Sequence, residues 1–197
     1  MNLPNKLTLS RFVLTVAFLG VMFSRMPFHE TIALGFFIAG GFSDWLDGHI
    51  ARKHNLITNF GILMDPLADK IMVCSAFIAF VELKWMHAWM VVIVVARELT
   101  ITGLRLLAAS KNVVLAAENY GKHKTISQIV AIVALLVRHG FEGWGAVGRT
   151  VFGWHLFAGV PWIESFATFS VWVAVALTFI SGWLYLWKNR VIYLQDL

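Results

Sequence analysis

Apolar residues fall into six long blocks, at about residues 11–24, 31–52, 60–82, 86–109, 123–138 and 166–187. They approach the ~20 residues that a helix needs to cross hydrocarbon, the first and fifth being shortest. Residues 1–10 are mildly amphipathic, and Pro4 suits a first helical turn, so a short interfacial helix is expected there. The fold class predicted is all-α: a polytopic membrane protein of six transmembrane helices plus a short N-terminal interfacial helix, one domain over residues 1–197. Residues 139–165, rich in Gly and Trp, interrupt the pattern and predict an interfacial hairpin or re-entrant piece on the outer face. Lys6 and Arg11 precede the first block in the manner of a signal peptide. No small-x-small cleavage site follows before Arg25, so a retained first span is expected.

Composition sharpens this picture. Hydrophobic residues make up 59% of the 197 and charged residues 14%, with a mean hydropathy of +0.74, far from an ordinary soluble domain. The net charge of +5 then points to loops beside an anionic leaflet and to anionic substrates, with no nucleic-acid partner expected. Ten bases (Lys6, Arg11, Arg52, Lys53, Arg105, Lys111, Lys122, Lys124, Lys188 and Arg190) fall on one side of the predicted spans, and Arg25, Lys84, Arg138 and Arg149 on the other. This bias places both termini and the 52–59 and 109–123 loops in the cytoplasm. Cys74 is the single cysteine, which excludes a disulfide framework or thiolate cluster, and the seven histidines lack metal-ligand spacing.

Four carboxylates break the apolar blocks: Asp44 and Asp47, then Asp65 and Asp69. Each costs roughly 2.5–3.5 kcal/mol at a membrane mid-plane. Spacings of three and four put each pair on one helical face. On a helix, Asp47 lies roughly 7–8 Å and Asp44 about 12 Å below Arg52. The third block starts on the same side, so all four acids meet between two adjacent helices. Oxygen ligands select hard cations such as Mg²⁺ or Mn²⁺, two of which would cancel four charges and clamp a phosphoryl displacement. Gly48 and Gly61 leave room for a ligand to approach the backbone, Arg52 offers a planar fork for phosphate, and Pro66 can kink the third helix. A structural alternative pairs the acids with Lys70, Arg97 and Arg105; it leaves the spacing and the glycines unexplained. A cation- or proton-coupled transporter is a second alternative, but it needs acids along a through-path rather than at one face.

The stretch Asp44, Asp47, Gly48, Ala51, Arg52, then Gly61, Asp65 and Asp69 matches every specified position of D-x-x-D-G-x-x-A-R, eight residues, G-x-x-x-D-x-x-x-D. By this motif the chain resembles the CDP-alcohol phosphotransferase family. The resemblance implies a six-helix membrane enzyme, a homodimer, that displaces CMP from a CDP-linked lipid with an alcohol. It implies that Asp44, Asp47, Asp65 and Asp69 ligate two metal ions and that Asp69 also serves as general base. Gly48, Arg52 and Thr58 fall where the family contacts the CDP moiety, and Asn5 and Thr8 match an N-x-x-T element that closes over the nucleotide. Thr58 is also a fitting N-cap for the third helix.

Segments outside the motif, notably Arg97 through Arg105 and Gly121 through Thr125, are most similar to bacterial members whose donor is CDP-diacylglycerol and whose acceptor is sn-glycerol 3-phosphate. Such a protein would sit in the bacterial inner membrane with its active site facing the cytoplasm. A dianionic acceptor needs a second basic cluster. Arg97 and Arg105, eight apart and read as sharing a face of the fourth helix, would supply it with Lys122 and Lys124. A pairing of Arg97 with Glu98, and plain loop charge for the two lysines, are the simpler readings. Inositol phosphate, phosphatidylglycerol or serine remain alternative acceptors, because the CDP motif does not encode the acceptor.

Overall fold

A computed structural model describes residues 3–24, 26–54, 59–111, 113, 115, 119–157 and 159–194, with side chains left undescribed at 3–5, 7, 47–54, 59–63, 65–66, 119–120, 156–157 and 194. The chain forms α1 (Leu3–Met22), α2 (His29–His54), α3 (Asn59–Glu82), α4 (Ala88–Ser110) and α5 (Asn119–Gly140). A 3₁₀ turn (Phe141–Trp144), α6 (Gly145–Phe152) and a two-strand hairpin, β1 (His155–Phe157) with β2 (Val160–Pro161), lead to α7 (Trp162–Lys188) and a terminal turn, α8 (Arg190–Leu194). Among the described residues, Gly121–Phe152 and Trp162–Lys188 have the length and hydropathy to cross a membrane, and Thr8–Met22 is a shorter apolar helix. Six of the helices coincide with the six apolar blocks. The expected break after residue 10 is absent, because α1 is one continuous helix from Leu3.

Helix α1 shows why. Its buried stripe is Thr8, Arg11, Thr15, Phe18 and Met22, spaced three and four apart, while Leu9, Val13, Val16 and Phe23 lie exposed. One face therefore turns polar groups inward at one end and apolar ones outward, as expected of a helix solvated by lipid. The stripe packs against α2 and α3. Phe18 meets Phe37 of α2 at 6.3 Å between ring centroids, and Phe77, Phe80, Leu135 and Ile132 complete a core toward the end where the 3₁₀ turn and the hairpin lie.

Two contacts set the levels of the helices. On α2, a Cβ at Gly40 would run into the thioether of Met72 on α3. Gly40 precedes Asp44 by four residues and Met72 follows Asp69 by three, so this close approach brings the two aspartates to one depth. Between α5 and α7, buried Gln128 donates to Thr178 Oγ1 at 3.0 Å, flanked by buried Ala131 and Ala174, small residues that let helices approach in lipid. α3 remains helical through Pro66. Between α5 and α7 the chain forms the short turn, helix and hairpin, anchored by Trp144 Nε1 donating to Thr31 Oγ1 at 2.7 Å.

Candidate active site

The carboxylates come from α2 and α3, and α1 supplies their counter-charge. Arg11 Nη1 donates to Asp44 Oδ1 at 2.6 Å and to Asp69 Oδ1 as well. The guanidinium is buried, 1% exposed, whereas the Asp44 and Asp69 side chains are 47% and 49% exposed. Arg11 was expected among the cytoplasmic loop charges. It is instead the second member of the buried stripe of α1, and among the described residues the base beside Asp44 is Arg11 rather than Lys70, Arg97 or Arg105 of the structural alternative. Thr8, one turn earlier on that stripe, is fully buried, and Thr15 Oγ1 donates to the Arg11 carbonyl at 2.8 Å. Ser10 and Ser43 oxygens lie 3.4 Å apart across the α1–α2 contact.

The donor set suits a hard cation. One positive group already bridges carboxylates from two helices, so a cation placed between them reaches both. Asp44 and Asp69 against one guanidinium leave a formal −1 for a further cation to offset. Asp47 and Asp65 belong to α2 and α3, but their side chains lie outside the described residues, as do those of Asn5, Gly48, Arg52 and Gly61; Thr58 lies outside them altogether. Among the described residues, no group of three or more His, Cys, Asp and Glu side chains forms a metal cluster.

Beside Asp69 opens a cavity of about 210 Å³ lined by Lys70, Glu98, Arg105, Lys124 and Gln128 among others. Glu98 is its organising acid, and the residue reading gave it no place in the site. It is buried on α4, accepts a hydrogen bond from Lys124 Nζ, and lies 3.3 Å from Arg97 Nη1. Lys124 is only 4% exposed, far from the plain loop charge of the simpler reading. Lys70 donates to Thr102 Oγ1, which in turn donates to the Glu98 carbonyl at 2.7 Å. Arg105 Nε donates to the Tyr185 hydroxyl at 3.3 Å, with its guanidinium carbon 5.7 Å from that ring's centroid.

The four expected acceptor bases divide. Arg105 and Lys124 line the cavity; Arg97 and Lys122 do not. At about 100° per residue, positions eight apart diverge by roughly 80°, whereas seven apart differ by only about 20°. Glu98 and Arg105 thus share the cavity face, and Arg97 points aside against Gly182 of α7, where a Cβ would come within 2.8 Å of its Cγ. Its Nε is buried without a hydrogen-bond partner among the described residues. Lys122 is exposed.

Known proteins resemble the chain over most of its length. The family model described as CDP-alcohol phosphatidyltransferase matches residues 1–180. A Bacillus subtilis (strain 168) protein named CDP-diacylglycerol–glycerol-3-phosphate 3-phosphatidyltransferase is 39% identical over 201 residues, covering 95% of each chain. A Cereibacter sphaeroides protein of the same name is 31% identical, covering 99% of this chain and 98% of its own. A rice protein named cardiolipin synthase (CMP-forming) is 33% identical over 150 residues, covering 69% of this chain and 46% of its own. The chain belongs to the CDP-alcohol phosphatidyltransferase family.

Proposed function

We propose that the chain transfers the phosphatidyl group of CDP-diacylglycerol to sn-glycerol 3-phosphate, releasing CMP and forming phosphatidylglycerophosphate. The observation that carries this reading is a single cavity that Asp69, the proposed base, lines together with Lys70, Arg105 and Lys124. The names of the bacterial relatives support the same pair of substrates. In the reaction, the 1-hydroxyl oxygen of the acceptor attacks the β-phosphorus of the CDP-lipid, the bond to the CMP oxygen breaks, and the hydroxyl proton passes to Asp69.

Asp44, Asp47, Asp65 and Asp69 would hold two divalent ions, Mg²⁺ or Mn²⁺, which would supply Lewis-acid stabilisation of charge on the pyrophosphate. Arg105 and Lys124 bind the acceptor phosphate, with Lys70 at its flank. Glu98 holds Lys124 in place and is a positioning residue. Asn5, Gly48, Arg52, Thr58 and Gly61 bind the CDP-lipid. Burial of Thr8 in the contact of α1 with α2 and α3 means that it acts by setting α1 beside the nucleotide. All six long helices cross the bacterial inner membrane, with the carboxylate end toward the cytoplasm, and two copies form a homodimer.

The test offers purified protein CDP-diacylglycerol, Mg²⁺ or Mn²⁺, and one acceptor at a time, with CMP release as the readout. Glycerol 3-phosphate is expected to be used best. Preferential use of phosphatidylglycerol, the reading favoured by the rice relative's name, would move the assignment to another acceptor. Arg105→Ala is expected to raise the KM for glycerol 3-phosphate at least ~10-fold, the scale of one lost charge-assisted contact, with the KM for CDP-diacylglycerol little changed. Equal shifts in both constants would remove Arg105 from the acceptor side.

A further inference from the structure

At the end of the molecule opposite the carboxylates, a second cavity of about 400 Å³ opens between the α3–α4 connection, α5 and α7. From Asp69 to the end of α3 at Glu82 is thirteen residues, or about 20 Å of helix, so this cavity is separate from the active site. Its floor is apolar, with Met90, Leu135 and Val171, and its rim carries Lys84, Arg138 and Trp172.

Lys84 stands at an unusual position. The end of α3 closes with Trp85 N–H donating to the Phe80 carbonyl at 2.8 Å and Lys84 N–H to Val81 at 2.9 Å, the hydrogen-bond pattern that normally places glycine at the left-handed residue. Here that residue is a lysine with φ 62°. A side chain kept where glycine is the easier choice directs attention to what the side chain does. Among the described residues Lys84 has no ion-pair partner; its neighbour Glu82 is exposed and does not line the cavity.

The rest of the rim is held firmly. The Trp85 ring stacks on His139 at 3.7 Å between centroids and 5° between planes. Arg138 Nη2 donates to Glu164 Oε1 at 2.6 Å, which leaves other guanidinium N–H groups available. Lys84 and Arg138 against Glu164 sum to +1, the complement of one phosphodiester. Tryptophan beside cations above an apolar floor is the arrangement suited to a lipid headgroup at a membrane interface.

We infer that this cavity binds the phosphodiester headgroup of an anionic phospholipid, with Lys84 as its principal charge contact and the first methylenes of the lipid on the Met90–Leu135–Val171 floor. The site lies apart from the transfer reaction, and the inference rests on the membrane-spanning reading proposed above.

The experiment compares full-length wild type, Lys84→Gly and Lys84→Arg in neutral detergent, titrated with phosphatidylglycerol, phosphatidylcholine or inorganic phosphate, and followed by thermal midpoint. CDP-diacylglycerol turnover is measured alongside. Wild type and Lys84→Arg are expected to gain stability with phosphatidylglycerol and little with the other two. Lys84→Gly, relieved of its left-handed strain, is expected to match or exceed the wild-type midpoint without lipid, to keep its turnover, and to bind phosphatidylglycerol at least ~10-fold more weakly, the scale of one charged contact. An undiminished phosphatidylglycerol response in Lys84→Gly overturns the inference, as does a lower lipid-free midpoint, which would make Lys84 structural. Equal stabilisation by phosphatidylcholine, or by phosphate alone, overturns the anionic-lipid assignment. Loss of turnover in wild type would count against the proposed reaction and leave these binding outcomes readable.

Discussion

Asp69→Asn is expected to lower phosphatidyl transfer by at least ~1,000-fold while the protein stays folded and still binds CDP-diacylglycerol. A positioned general base contributes typically 10²–10⁴-fold, and the same carboxylate is proposed to ligate metal, so the loss falls toward the upper end of that range. The amide keeps the shape of the side chain and an acceptor oxygen for Arg11, whose Nη1 bonds Asp69 Oδ1. The side chain is also half exposed, so folding does not depend on its charge. Turnover and CDP-lipid binding should be measured on the same preparation. A variant within tenfold of wild-type turnover would refute Asp69 as the base.

Arg11→Met tests the other half of the centre. In wild type a buried guanidinium bridges Asp44 and Asp69. Removing one partner of a fully buried pair costs 3–5 kcal/mol; with both carboxylates half exposed, a loss of about 1–3 kcal/mol is expected in metal-free protein. Added Mg²⁺ should restore most of it, because removal of a positive charge beside the carboxylates strengthens cation binding. Two unit charges 4 Å apart interact by about 4 kcal/mol at an effective dielectric of 20, so the Mg²⁺ concentration for half-maximal stabilisation should fall at least ~10-fold. Thermal unfolding over a Mg²⁺ titration measures both effects. An unchanged Mg²⁺ midpoint would show that Arg11 does not compete with cations at this place.

The architecture was legible where composition is extreme. Six apolar blocks became six helices because a chain this hydrophobic satisfies its backbone polar groups most simply by helix formation. Over residues 139–165 the pattern pointed to an interfacial hairpin or re-entrant piece, and the described residues between α5 and α7 form a 3₁₀ turn, α6 and a short hairpin. Arg11 was misjudged because a base near an N-terminus counts as loop charge in a topology tally. The signal that could have found it is the three-and-four spacing of Thr8, Arg11 and Thr15, opposite the apolar face of Leu9, Val13 and Val16. Arg97 was put on one face with Arg105 by treating eight residues as a whole number of turns, and it does not line the cavity that Arg105 lines. The seven-residue interval from Glu98 to Arg105 was the better guide, although an acid is not what one seeks beside an anionic substrate. Its meaning depends on Lys124, a residue 26 positions away that only the folded chain brings to it.

The most extensive helix packing joins α1 with α2 and α3, and α7 with α5 and α4, while α2–α5 and α3–α4 contacts tie these two groups together. The aspartates stand on the first, while Glu98, Arg105, Lys124 and Tyr185 belong to the second. On the proposed assignment, substitutions that re-tailor the alcohol would fall mainly on the second group, and those that alter nucleotide cleavage on the first. Such modularity gives natural selection a way to draw many headgroups from a single ancestral scaffold.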